Sequence, residues 1–173
     1  DGSKIEDNTY GALYNAYAMG STVKGATVLT GYETGVISPG DVLVDTPITI
    51  GGLTKKSWTT MGAINDLKAL ERSSNVYMFR IAMNDLNSKS GFKDPDTAYA
   101  TMRYYFSQFG LGVKTGIDLP NEATGYNGGV QKLGNLMDFA IGQFDTYTTL
   151  QLVQYVSTIA NDGYRVQPHL LKE

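Results

Sequence analysis

Ser21-Thr22-Val23-Lys24 sets a lysine three residues after a serine, at the front of an apolar run in a chain of 173 residues. On a helix, positions i and i+3 share a face one turn apart, so the hydroxyl and the amine come within reach of each other. A lysine buried there loses charge stabilisation, its pKa falls, and it can accept the serine proton. Unpaired amides at a helix start favour negative charge as it develops, and Gly20 leaves room for a carbonyl to approach. The same residues also read as an ordinary N-cap followed by a solvated surface charge. The spacing recurs at Ser90-Gly91-Phe92-Lys93, in a polar loop with no apolar wall behind the lysine, and that copy is read as coincidence. A second cluster, Ser73-Ser74-Asn75, falls between two amphipathic segments. It is either a cap cluster for the helix that follows, or a hydroxyl and a carboxamide facing a cleft. In the latter case Ser73 would relay a proton with Lys24 and Asn75 would fix a substrate amide.

The remaining composition narrows the chemistry to such a pair. There is no cysteine, which removes thiol catalysis, disulfides and thiolate metal sites. The single histidine, His169, sits beside Pro168 near the end of the chain and reads as structural or solvated. A histidine-based triad and a metal site are therefore not expected, and no cofactor is. The obvious base for a serine or threonine nucleophile is lysine. A net charge of −3 with interspersed signs gives no basic stripe for nucleic acid. No run reaches the roughly 20 apolar residues of a membrane span, and no signal peptide is expected.

A hydrophobic content of 42% with 18% charged residues fits one globular domain with a true core. Residues 1–19 read as loop. From Ser21 the pattern is helical and ends near Gly31 or Gly35. Residues 42–52 alternate around Pro47 as a short hairpin or edge ribbon. Residues 61–72 read as an amphipathic helix with Ile64, Leu67 and Leu70 on one side, and residues 75–86 as another with Val76, Phe79, Met83 and Leu86. A breaker-rich loop over 88–96 precedes a helix stopped by Gly110. Residues 110–129 read as an extended loop, followed by helices within 133–143 and 149–163, the last stopped by Asn161-Asp162-Gly163. The chain reads as mainly helical with one short β ribbon.

Longer segments then carry a resemblance. "GSTVKGATVLTGYETGV", "ERSSNVYM", "FGLGVKTGIDLPNEATG" and "AIGQFDTYTTLQLVQYVSTIANDGYRVQPHLLKE" resemble, in order, the transpeptidase domain of class B penicillin-binding proteins, with the 2B-type members of Gram-positive bacteria most similar. The resemblance implies an α+β parent fold of the penicillin-binding protein/β-lactamase type, of which residues 1–173 would be the helical half, most of the central five-stranded sheet lying outside the chain. It implies a peptidoglycan D,D-transpeptidase that attacks stem peptides ending in D-Ala-D-Ala and is acylated by β-lactam antibiotics. Ser21 would be the nucleophile, Lys24 its general base, and Ser73 and Asn75 the second catalytic motif, with Ser74 and Trp58 near substrate. It further implies residence at the outer face of the cell membrane and partners among cell-wall elongation or division proteins. A β-lactam sensor, a β-lactamase relative and a non-catalytic cell-wall scaffold are the other readings. Met19 and Thr149 stand where many relatives have proline, which alters local stiffness rather than chemistry.

Lys114-Thr115-Gly116 spells the family's third motif in the right order, yet it is read as a decoy. The true motif opens a strand, whereas Pro120 and Gly125 rule out a long central strand here. The third motif is then expected beyond Glu173, and the chain alone is expected to acylate poorly or not at all.

Overall fold

The computed structural model describes residues 8–83 and 94–171. Leu86, the Ser90-to-Lys93 repeat of the spacing and Glu173 lie outside the described residues, as do residues 1–7.

The expected N-terminal loop contains two regular elements. A short helix, α1 (Thr9–Leu13), leads into β1 (Ala16–Tyr17), which pairs antiparallel with β6 (Tyr147–Thr148). A 3-10 turn over Gly20–Val23 then feeds α2 (Lys24–Glu33). This helix runs through the core. Its buried threonines are satisfied locally or across the interface: Thr30 Oγ donates to Ala26 O at 2.8 Å and Thr27 Oγ to Ala140 O at 2.8 Å.

The single ribbon expected over 42–52 is in fact two. β2 (Val42–Asp45) pairs with the more distant β5 (Gly62–Asn65), while β3 (Ile48–Ile50) and β4 (Leu53–Lys55) form a tight hairpin. Gly51-Gly52, both at positive φ, supply the two-residue turn that such a hairpin requires. The helix expected from Met61 therefore starts late. Asn65 caps α3 (Asp66–Glu71) by accepting from Lys68 N, and Ile64 is buried from a strand. Leu67, expected on its face, is 70% exposed, and Leu70 is exposed as well.

The core centres on α4 (Asn75–Met83), where Val76, Tyr77, Met78, Phe79, Ile81 and Ala82 are all buried. A helix apolar on nearly every side must be enclosed, and α4 packs against α2 and α6 (Leu133–Ala140). Val76, Met78, Phe79 and Ile81 each contribute about 1.5–3 kcal/mol by leaving water. α5 (Pro95–Gln108) begins at Pro95, earlier than the breaker reading places it, because Asp94 caps it and proline is tolerated in the first turn. Arg103 fixes α5 to the segment before β6. Its guanidinium bonds both carboxylate oxygens of Asp145, at 2.7 and 2.8 Å, and lies over Tyr99 and Phe139.

The final helix, α7 (Thr149–Ala160), starts with a capping box between Thr148 and Gln151. Thr149 is the first helical residue, the position where a proline's missing N–H costs nothing, so threonine there preserves the helix start. Asp162 and Gly163 end the helix at positive φ.

Candidate active site

The site begins with how the chain is bent at Ser21. Gly20 adopts φ +58 and its N–H donates to Gly142 O at 2.9 Å. The two backbones meet so closely that a Cβ on Gly142 would lie 2.3 Å from Gly20 O. From the other side Tyr155 reaches in from α7, donating to Thr22 O at 2.9 Å and accepting from Ala26 N at 3.2 Å. Ser21 therefore sits on a turn clamped at both flanks, with its side chain exposed. The backbone N–H of Lys24 closes the turn on Ser21 O. The turn is 3-10 rather than α-helical, which aligns i and i+3 more directly.

Lys24 is 2% exposed. Its ammonium makes three bonds to the second cluster: to Ser73 O at 2.8 Å, Ser73 Oγ at 3.0 Å and Asn75 Oδ1 at 2.7 Å. Three donors meet three acceptors, so the lysine is fully satisfied while buried. Burial lowers its pKa from 10.5 to about 8, partly opposed by the Asp45 carboxylate. The two sequence motifs are thus joined through Lys24.

Ser73 owes its position to the end of α3. Its N–H donates to Leu70 O and the N–H of Ser74 to Ala69 O, the bond pair of a Schellman ending. Glycine usually occupies the left-handed position of that ending, yet here a serine holds φ +53. A side chain in that conformation costs about 1–2 kcal/mol. What the serine adds is the hydroxyl that meets Lys24.

Ser74, expected near substrate, is instead fully buried. It accepts from Tyr77 N at 3.0 Å, as a helix cap does, and donates to Asp45 Oδ2 at 2.5 Å. Ser57 donates to the same oxygen at 2.8 Å while accepting from Asn75 N and Val76 N at 3.0 and 3.1 Å. Sequence reasoning missed Asp45 and Ser57. The signal for Asp45 was there: in the alternating strand Val42–Asp45 it falls in the inward register with Leu43, and a carboxylate on an inward face demands partners. Trp58 is 68% exposed, beside a hollow of about 110 Å³ that Asp45, Ser57 and Thr60 also line. Its indole N–H donates to Arg72 O at 2.9 Å and the Arg72 guanidinium lies over the ring, so it braces the turn that carries Ser73.

Lys114-Thr115-Gly116 forms no strand. The N–H groups of Thr115 and Gly116 are held by the Glu122 carboxylate at 2.8 and 3.2 Å, while Thr115 O accepts from Gln154 at 3.1 Å. Lys114 is exposed, as is His169. Among the described residues, no group of three or more His, Cys, Asp or Glu side chains could hold a metal ion, and no helix is long and apolar enough to cross a membrane. Two roomier hollows, of about 280 and 320 Å³, are lined by none of the candidate catalytic or substrate-binding residues.

Comparison with known proteins gives this geometry its context. Residues 2–173 match the family described as the penicillin binding protein transpeptidase domain. Penicillin-binding protein 2A of Bacillus subtilis (strain 168) is 54% identical over 176 residues, covering 98% of this chain and 25% of the relative. Peptidoglycan D,D-transpeptidase MrdA of Acinetobacter baumannii is 30% identical over 193 residues, covering 99% of this chain and 27% of that protein. Among solved structures, penicillin-binding protein 2B of Streptococcus pneumoniae (strain 5204) superposes with a TM-score of 0.85 at 38% identity, covering 96% of this chain and 29% of that one. The chain thus spans about a quarter of the length of the curated relatives it matches. The serine turn and the lysine that joins it to the second cluster belong to a transpeptidase domain of the class B penicillin-binding proteins, and this chain is a part of that domain.

Proposed function

We propose that the parent protein is a serine D,D-transpeptidase of peptidoglycan, with Ser21 as its nucleophile. The observation that carries this reading is the placement of Lys24: buried, with a lowered pKa, and bonded to both Ser73 and Asn75. Once neutral, Lys24 keeps two N–H donors and gives up one of its three bonds; the lone pair so freed takes the Ser21 proton as Ser21 Oγ attacks the carbonyl of the penultimate D-Ala. The C–N bond to the terminal D-Ala breaks, and the proton held by Lys24 passes through the Ser73 hydroxyl bonded to it to the departing amine. Asn75 holds the substrate amide. The amine of a neighbouring stem peptide then attacks the ester and gives up a proton to Lys24; the C–O bond to Ser21 breaks, its Oγ takes that proton back, and the cross-link is formed. A β-lactam enters at the first step and opens its ring on Ser21.

Trp58 is assigned to the rim of the substrate cleft. Ser74 is assigned to the support of the second motif, on account of its burial. The Lys114 segment is not the third motif, because Glu122 occupies the two N–H groups that a substrate strand would need. The motif belongs to the rest of the parent. By the family resemblance the strand of that motif supplies part of the oxyanion hole; loss of one such donor costs about 3 kcal/mol, so the chain by itself acylates poorly. The parent works at the outer face of the cell membrane, in contact with proteins of wall elongation or division.

Labelling of the full-length parent with a fluorescent penicillin tests the assignment. Covalent label that persists and disappears in Ser21→Ala is the expected result. Absence of label, or label that survives the substitution, refutes it. Rapid loss of label would mark a hydrolase instead.

A further inference from the structure

We propose that Asp45 is a positioning residue of this site: through Ser57 and Ser74 it fixes the backbone from which Ser73 and Asn75 present their acceptors to Lys24. The inference rests on the transpeptidase reading and adds a residue to its machinery.

A carboxylate only accepts hydrogen bonds. The hydroxyls of Ser57 and Ser74 both point their single proton at Asp45 Oδ2, at 2.8 and 2.5 Å. Their lone pairs are thereby committed to the other side, where the start of α4 lies. Ser57 accepts from Asn75 N and Val76 N, and Ser74 from Tyr77 N. Three first-turn N–H groups, which a helix leaves unpaired, are satisfied by two hydroxyls whose direction one carboxylate dictates. Asn75 carries Oδ1 on this anchored backbone, 2.7 Å from Lys24 Nζ. Ser73, strained at φ +53, is the residue next to Ser74. Asp45 is itself 4% exposed, and a buried carboxylate is retained only where it is well partnered.

The carboxylate has a second effect. Around Lys24 Nζ the bonded groups are neutral, namely the Ser73 hydroxyl and carbonyl and the Asn75 amide. Among the described residues Asp45 is the charge that acts on it, raising its pKa against the effect of burial. Removing that charge makes Lys24 give up its proton at a lower pH.

Two variants of the full-length parent separate these effects, read as the second-order rate of fluorescent-penicillin acylation across pH. Asp45→Asn keeps the shape and removes the charge, so the midpoint of the rising limb moves to lower pH. Ser57→Ala keeps the charge and frees Asn75 N and Val76 N. Its plateau falls on the order of tenfold, as expected for a misplaced catalytic group, its midpoint stays, and Ser57→Thr recovers the rate. A folded Asp45→Asn whose plateau rate and midpoint both match the wild type overturns the proposal. So does an unchanged rate in Ser57→Ala, which decides the matter should Asp45→Asn fail to fold. Label on the wild type with neither variant effect refutes this inference alone, whereas no label on the wild type refutes the transpeptidase reading with it.

Discussion

Under the proposed mechanism, burial of Lys24 makes acylation of the parent depend on pH. With a pKa of about 8 in place of 10.5, about a tenth of the side chain is neutral at pH 7, against roughly one part in 3,000 for an ordinary lysine. Burial therefore raises the supply of free base about 300-fold. Acylation of the full-length parent by a fluorescent penicillin is expected to rise about tenfold per pH unit up to about 8 and to level off above it. Lys24→Arg retains a charge that does not titrate in this range, so the rate falls on the order of 100-fold or more and the rising limb is lost. The same group leaves a signature in stability. Between about 8 and 10.5 the unfolded chain holds the proton and the folded chain does not, so the contribution of Lys24 to stability rises with pH across that window. Below pH 8 its full cost, about 3 kcal/mol, is present; above 10.5 it has vanished. A wild-type rate flat between about pH 6 and 8, or an arginine variant within tenfold of wild type, would refute a buried lysine base.

Gly142→Ala sets a Cβ 2.3 Å from Gly20 O and a side chain at φ +73. It is expected to slow acylation of the parent and to lower its stability by about 1–3 kcal/mol; equal melting temperature and equal rate would contradict the clamp. Lys114→Ala removes an exposed side chain from a turn held by Glu122, so the acylation rate stays within about twofold of wild type. A large loss in that variant would make Lys114 part of the third motif after all.

The sequence carried most of the helices because their signals are local. The apolar runs of α4 and α7 and the Asn161-Asp162-Gly163 stop each fix an element within one or two turns of chain. The strands were harder. β2 finds its partner in β5, some twenty residues away, and the short sequence of β5 reads equally well as the first turn of the helix that follows it. β1 is two residues long and pairs with residues 147–148, which no local pattern can show. The site divides along the same line. Ser21, Lys24, Ser73 and Asn75 were legible as types at a spacing. Asp45 and Ser57 act through bonds to positions 12 to 29 residues away, so their part appears only once the chain is folded. Ser74 shows the limit from the other direction, since adjacency to Ser73 says nothing about which of two neighbouring hydroxyls faces inward.

The hydroxyl of Tyr155 that grips Thr22 O and Ala26 N spans about 130 positions of sequence. Contacts between such distant residues close late, because a long loop must be ordered before they repay it. A chain that begins to fold would therefore carry Ser21 and Lys24 for some time before α7 docks to hold their turn. Competence to react with a penicillin would then mark the last stage of folding of this segment. Followed during refolding of the parent, label would not appear before α7 docks, even after α2 and the turn that carries Ser21 have formed.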